Sequence, residues 1–118
     1  MIKTGAERRV SPRLSQELPF RVGANGYNFA TSTQNISCAG AYCKIKKYIP
    51  PFTKVKVKLT LPMKTRLGKS SYTMDCEGVI VRTEDEEKGD FNIAIFFNAI
   101  KDDQRKKISK YIDQFIPK

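Results

Sequence analysis

The sequence predicts a mainly β fold, a small six-stranded antiparallel β-barrel or partly open sandwich that ends in a C-terminal α-helix. Three observations carry that expectation. The 118 residues, 40% hydrophobic and 29% charged, suffice for one domain with one core. Six short runs of strand character are punctuated by turn chemistry. The hydrophobic period changes from two to that of a helix only at Asp102.

The elements follow in order. Residues 1 to 17 are polar and basic, and Pro12 removes a backbone donor while extending Ser11, so this segment is expected to be a flexible N-terminal arm ahead of a domain covering residues 18 to 118. Leu18 to Val22 and Tyr27 to Thr33 read as two strands joined through Asn25-Gly26, a dipeptide suited to a tight hairpin. Gly40 to Ile45 is a third strand, and Pro50-Pro51 marks the connection after it. In Lys54 to Leu61 lysines alternate with Val55, Val57, Leu59 and Leu61, the pattern of a strand with one face in water. Met63 to Ser71, rich in Lys, Arg, Gly and Ser, is expected to be a long loop. A strand from about Tyr72 to Thr83 is expected to bend at Gly78, where its apolar side switches. An acidic turn from Glu84 to Asp90 separates it from Phe91 to Phe97, the most apolar run and the expected central strand. Ile108, Tyr111, Ile112 and Phe115 then recur at helical spacing, with Asp102 and Asp103 where the helix dipole favours acids.

The formal net charge of +10 is concentrated rather than spread. No acidic residue lies between Glu17 and Asp75, a stretch with ten Lys and Arg, while the rest of the chain balances. Such a field draws anionic partners, whether phosphate ligand, nucleic acid or acidic protein, without choosing among them. The absence of a long apolar run and of a signal-peptide pattern leads to the expectation of a cytoplasmic protein with no transmembrane segment. Cys38, Cys43 and Cys76 lack metal-ligand spacing and the chain has no histidine, so reduced thiols and no metal are expected.

Catalysis finds little support, because a serine or cysteine nucleophile would have no histidine base and the clustered acids sit in a solvated turn. Two short patterns suit a phosphorylated purine instead. Arg9 and Arg13, four apart on the arm, could each present a guanidinium fork to guanine O6 and N7 or to a phosphate. Asn35, Ser37 and Gly40, at the junction of two strands, supply an amide that can accept from guanine N1 and N2, a small hydroxyl, and a residue that lets the backbone bend. Alone, the first reads as a basic tail and the second as a turn between strands.

Taken together and in this order, Arg9-x-x-x-Arg13 followed by Asn35-x-Ser37-x-x-Gly40 resembles the PilZ domain family of bacterial cyclic di-GMP receptors. The likeness extends to Gly78-Val79-Ile80-Val81-Arg82 and to the apolar strand Phe91 to Phe97. It implies a split barrel that is not an enzyme and needs no cofactor, with cyclic di-GMP as ligand. It implies that Arg9 and Arg13 grip guanine and phosphate, that Asn35 and Ser37 contact the guanine edge and a neighbouring phosphate, and that Gly40 holds the turn. Arg8, just before the first motif, leans toward an intercalated pair of ligand molecules. The output would be an altered surface read by a partner protein of motility, exopolysaccharide-synthesis or regulatory machinery. Two other readings share the charge and fold class. One is a basic barrel for single-stranded RNA or DNA, disfavoured because the Lys54, Lys56 and Lys58 face carries no aromatics. The other is a ligand-free adaptor of the same family.

Overall fold

The computed structural model describes residues 13–24, 26–86 and 88–115. Arg8 and Arg9 therefore lie outside the described residues. Six antiparallel strands, β1 (Pro19–Ala24), β2 (Tyr27–Ile36), β3 (Gly40–Ile45), β4 (Lys54–Thr65), β5 (Gly68–Asp85) and β6 (Phe91–Ala99), precede helix α1 (Asp102–Asp113). They close in the order β1-β2-β3-β6-β5-β4, with β1 returning to pair with β4. No strand is central in a closed ring, so β6 is instead flanked symmetrically by β3 and β5.

The alternation read in β4 is what fills the barrel. Val55, Val57, Leu59 and Leu61 are all buried while Lys54, Lys56 and Lys58 face water. Phe20 and Val22 of β1, Cys43 and Ile45 of β3, Met74, Cys76 and Ile80 of β5, and Ile93, Ile95 and Phe97 of β6 meet them. Burying a side chain such as Leu59, 0% exposed, stabilises the fold by about 1.5–3 kcal/mol. Burial pushes the Cys43 thiol up to about 12 and, with Asp75 and Glu77 adding to the effect, the Cys76 thiol up to about 11. Cys43 and Cys76 act as small apolar residues of the core. Helix α1 contributes Ile108, Tyr111 and Ile112 to the same cluster. Gln104 anchors its first turn twice: its amide oxygen accepts from the Lys101 N–H at 3.1 Å, and its amide nitrogen donates to the Asp75 carbonyl at 2.9 Å.

Three features depart from expectation or sharpen it. The residues read as a loop, Met63 to Ser71, are a ribbon: β4 and β5 stay paired from Lys54↔Val79 out to Thr65↔Gly68, with only Arg66 and Leu67 between. The arm is tied down well before Glu17. Leu14 N–H donates to the Ile36 carbonyl at 2.8 Å, and Ile36 N–H donates back at 2.9 Å. The fully buried Thr33 hydroxyl donates to the Gln16 carbonyl at 2.6 Å and accepts the Leu18 N–H at 3.0 Å. A register shift between Glu77 and Val79 against β6 falls at the expected bend at Gly78, but the apolar side does not switch there: Met74, Cys76, Gly78 and Ile80 are all buried on one face.

Candidate functional site

Two bulges and two close backbone approaches build the site. Thr33 and Ile36, three residues apart, both point into the core because a register shift between Thr33 and Asn35 interrupts the strict alternation of β2. That shift leaves Asn35 half-buried at the surface instead of facing the core. The Leu14–Ile36 bridge then sets Arg13 beside it, and the Arg13 guanidinium donates to Asn35 Oδ1 at 2.9 Å. Two motifs separated by 22 residues thus meet in one hydrogen bond.

Ser37 and Gly40 shape the turn after β2. Ser37 N–H donates to the Gly40 carbonyl at 2.9 Å, and its hydroxyl accepts the Ala39 N–H at 3.1 Å while reaching toward the same carbonyl at 3.4 Å. Ser37 is 1% exposed, so its hydroxyl faces the turn and not the solvent. Gly40 is not in the left-handed region, which Gly26, Gly68 and Gly89 occupy. Glycine is needed there because a Cβ would overlap the Ile95 carbonyl oxygen. At Gly78 a Cβ would stand 2.7 Å from Ile95 Cγ2 and 2.9 Å from the Phe96 carbonyl oxygen. The two glycines let β3 and β5 close tightly on the same stretch of β6.

Beside this turn lies a groove of about 340 Å³ over the outer face of β3, β6 and β5. Arg13, Asn35 and Gly40 form one side. Ala94 leaves room at its floor, where Tyr42 and Arg82 pair across it on either side. Phe96, 49% exposed, and Val81, 46% exposed, give it an apolar edge. Val81 owes its place to the register shift between Ile80 and Arg82. The Arg82 guanidinium sits 5.7 Å from the centre of the Tyr42 ring and 3.5 Å from Glu84, which holds a second cation at the wall opposite Arg13. Tyr42, Val81, Arg82 and Phe96 escaped the sequence reading as site residues. Phe96 had a detectable signal: with Ile93, Ile95 and Phe97 pointing inward, it is a large aromatic at an outward position of a barrel strand.

A larger hollow, about 920 Å³, opens over β1, β4 and β5. Arg13, Asn35, Ser37 and Gly40 do not line it, and Asp75 and Glu77 offset in part the cations Arg21, Lys54, Lys56 and Lys58 around it. Lys58 is already 3.7 Å from Asp75.

The sequence matches the model of the PilZ domain over residues 7–114, nearly its whole length. The chain belongs to the PilZ domain family. The fold of this PilZ domain is similar to that of the Bacillus subtilis inhibitor of motility MotI/DgrA, with a TM-score of 0.79 and 15% identity over 92% of the chain. It is also similar to the Klebsiella pneumoniae protein MrkH, solved as a complex with c-di-GMP, at a TM-score of 0.62 and 17% identity over 92% of the chain. The PilZ domain of Escherichia coli YcgR, solved with c-di-GMP, has a TM-score of 0.58 and 10% identity over 89% of the chain and 88% of its own length. The chain spans about half the length of the first two, 51% and 52%. No curated protein matches the sequence. Among the described residues no group of acids and cysteines is arranged to hold a metal ion, and no helix is long and apolar enough to cross a membrane.

Proposed function

We propose that this chain is a non-catalytic receptor for cyclic di-GMP, bound in the groove between the Asn35–Gly40 turn and β6. The observation that carries the reading is the Arg13–Asn35 hydrogen bond, which joins the two PilZ motifs at the mouth of that groove. Family membership and the ligands named for MrkH and YcgR support it.

The chemistry follows from the donor and acceptor inventory. In the free protein Asn35 Oδ1 is occupied by Arg13. When a guanine arrives, its N1 and N2 donors take over that oxygen, and the released guanidinium turns its fork to guanine N7 and O6 or to a phosphate. Arg8 and Arg9, on the segment leading into Arg13, add positive charge over the dianion. Ser37 and Gly40 act through the turn, the first by fixing the Ala39 amide and the second by allowing contact with β6. Reorganisation of the arm changes the surface next to the groove. A partner protein in motility, exopolysaccharide-synthesis or regulatory machinery would read that change.

Isothermal titration with cyclic di-GMP tests this directly. A lost bidentate contact is worth about 1–3 kcal/mol, so Arg13→Ala and Arg9→Ala should each weaken binding about ten-fold or more. Both variants titrating like the parent would refute the clamp. Oligonucleotide binding with a steep salt dependence and no response to the dinucleotide would favour the nucleic-acid reading instead.

A further inference from the structure

The ribbon at the far end of β4 and β5 has no role in the groove. β1 accompanies β4 only as far as Leu59, and β6 meets β5 only from Glu77 onward. Helix α1 covers the root, where the Lys107 ammonium lies 4.9 Å over the Tyr72 ring. Past that point the strands pair with each other and with no other described strand, from Pro62↔Ser71 to Thr65↔Gly68. Pro62, Arg66, Lys69, Ser70 and Ser71 are exposed there, and Leu67 at the apex is 99% exposed. An isolated two-stranded ribbon is marginally stable, and a two-residue hairpin loop is normally given to Asn, Asp or Gly. Leu67 therefore projects an apolar side chain between the cations Arg66 and Lys69.

We propose that this ribbon docks on an anionic membrane surface, with Leu67 entering the boundary of the acyl region and Arg66 and Lys69 resting on lipid phosphates. Three observations favour a lipid surface over a protein or nucleic acid. The apolar offering is one side chain without a surrounding apolar rim, too little for a stable protein interface of about 800 Å² per partner, whereas a bilayer demands no matching shape. Pro62 removes a backbone donor and Lys69 charges the opposite strand, which blunts the ribbon against strand addition. The charge also differs along β5: Arg66 and Lys69 beside Gly68 have no acid near them in sequence, whereas at the other end Glu84 and Glu86 are paired with Arg82 and Lys44. The unbalanced cations at the ribbon turn that end toward an extended negative plane. The inference is independent of the cyclic di-GMP reading.

The chain has no tryptophan, so Leu67→Trp provides a single reporter at the apex. The full chain would be mixed with vesicles of phosphatidylcholine alone or with phosphatidylglycerol in a two-to-one ratio, without nucleotide. Binding should occur only to the anionic vesicles, with a blue shift of Trp emission. At about a five-fold loss per cation near the surface, Arg66→Gln with Lys69→Gln should weaken binding about thirty-fold. Lys46→Gln with Lys54→Gln, the same charge loss away from the ribbon, should cost far less. Circular dichroism checks that each variant keeps its β signature. The proposal is overturned by any one of these: no vesicle binding, equal binding to neutral vesicles, no emission shift, or an equal loss in the control pair. Retention of the ribbon by duplex DNA or an acidic protein with vesicles ignored would overturn it as well.

Discussion

At the scale of single residues, the site rests on contacts that short sequence patterns encode only in part. The meeting of Arg13 with Asn35 was legible because both belong to recognisable spacings, although what brings them together is Leu14, Thr33 and a bulge that no pattern announces. The second wall was not legible. Placing Tyr42 against Arg82 requires the register of three strands with two irregularities in β5, which is long-range information. Gly40 shows how a correct residue can carry a different reason. A glycine chosen for a bend could tolerate alanine, but one chosen for contact with the Ile95 carbonyl cannot. Gly40→Ala should therefore destabilise the whole domain by about 1–3 kcal/mol, read as a lower urea midpoint with an unchanged slope. An unaltered midpoint would show that β6 yields easily.

At the scale of elements, the sequence signal was strong where one face of a strand is buried and failed where neither is. Lys54 to Leu61 alternates because the barrel enforces it, but Pro62 and the residues from Arg66 to Ser71 are exposed, with no buried face to set an alternation, and the composition resembles that of a loop. The acidic turn between β5 and β6 is also more structured than its charge implies. Glu86 accepts from the Asn92 amide at 2.6 Å and lies 3.3 Å from the Lys44 ammonium. These partners hold its carboxyl below the ordinary value of 4.5, with Asn92 the larger cause. Because the folded form binds its proton less readily than the unfolded chain, the stabilisation is complete above pH 4.5 and declines as pH falls through the lower folded value. Urea midpoints measured from pH 7 down to pH 3 should fall less steeply for Glu86→Gln than for the parent. Parallel curves would mean that the turn contributes nothing to the acid response.

At the scale of the whole molecule, six strands and a helix were foreseen, and so was an antiparallel barrel; the manner of closure was not. It depends on β1 finding β4 and β3 finding β6, partners distant in sequence, with no disulfide to shorten the search. Refolding followed by stopped-flow circular dichroism should accordingly take milliseconds to seconds, indifferent to added reductant. A relaxation on the microsecond scale, as in a helical bundle, would contradict a rate set by ring closure.

That closed ladder also bears on behaviour at high concentration. Around the cylinder every strand already has a neighbour on each side, so one molecule offers another no vacant row of amides along its wall. Crowded preparations should therefore remain clear on storage, and cloudiness that sets in while the β signature of the cylinder is still intact would contradict a sealed wall.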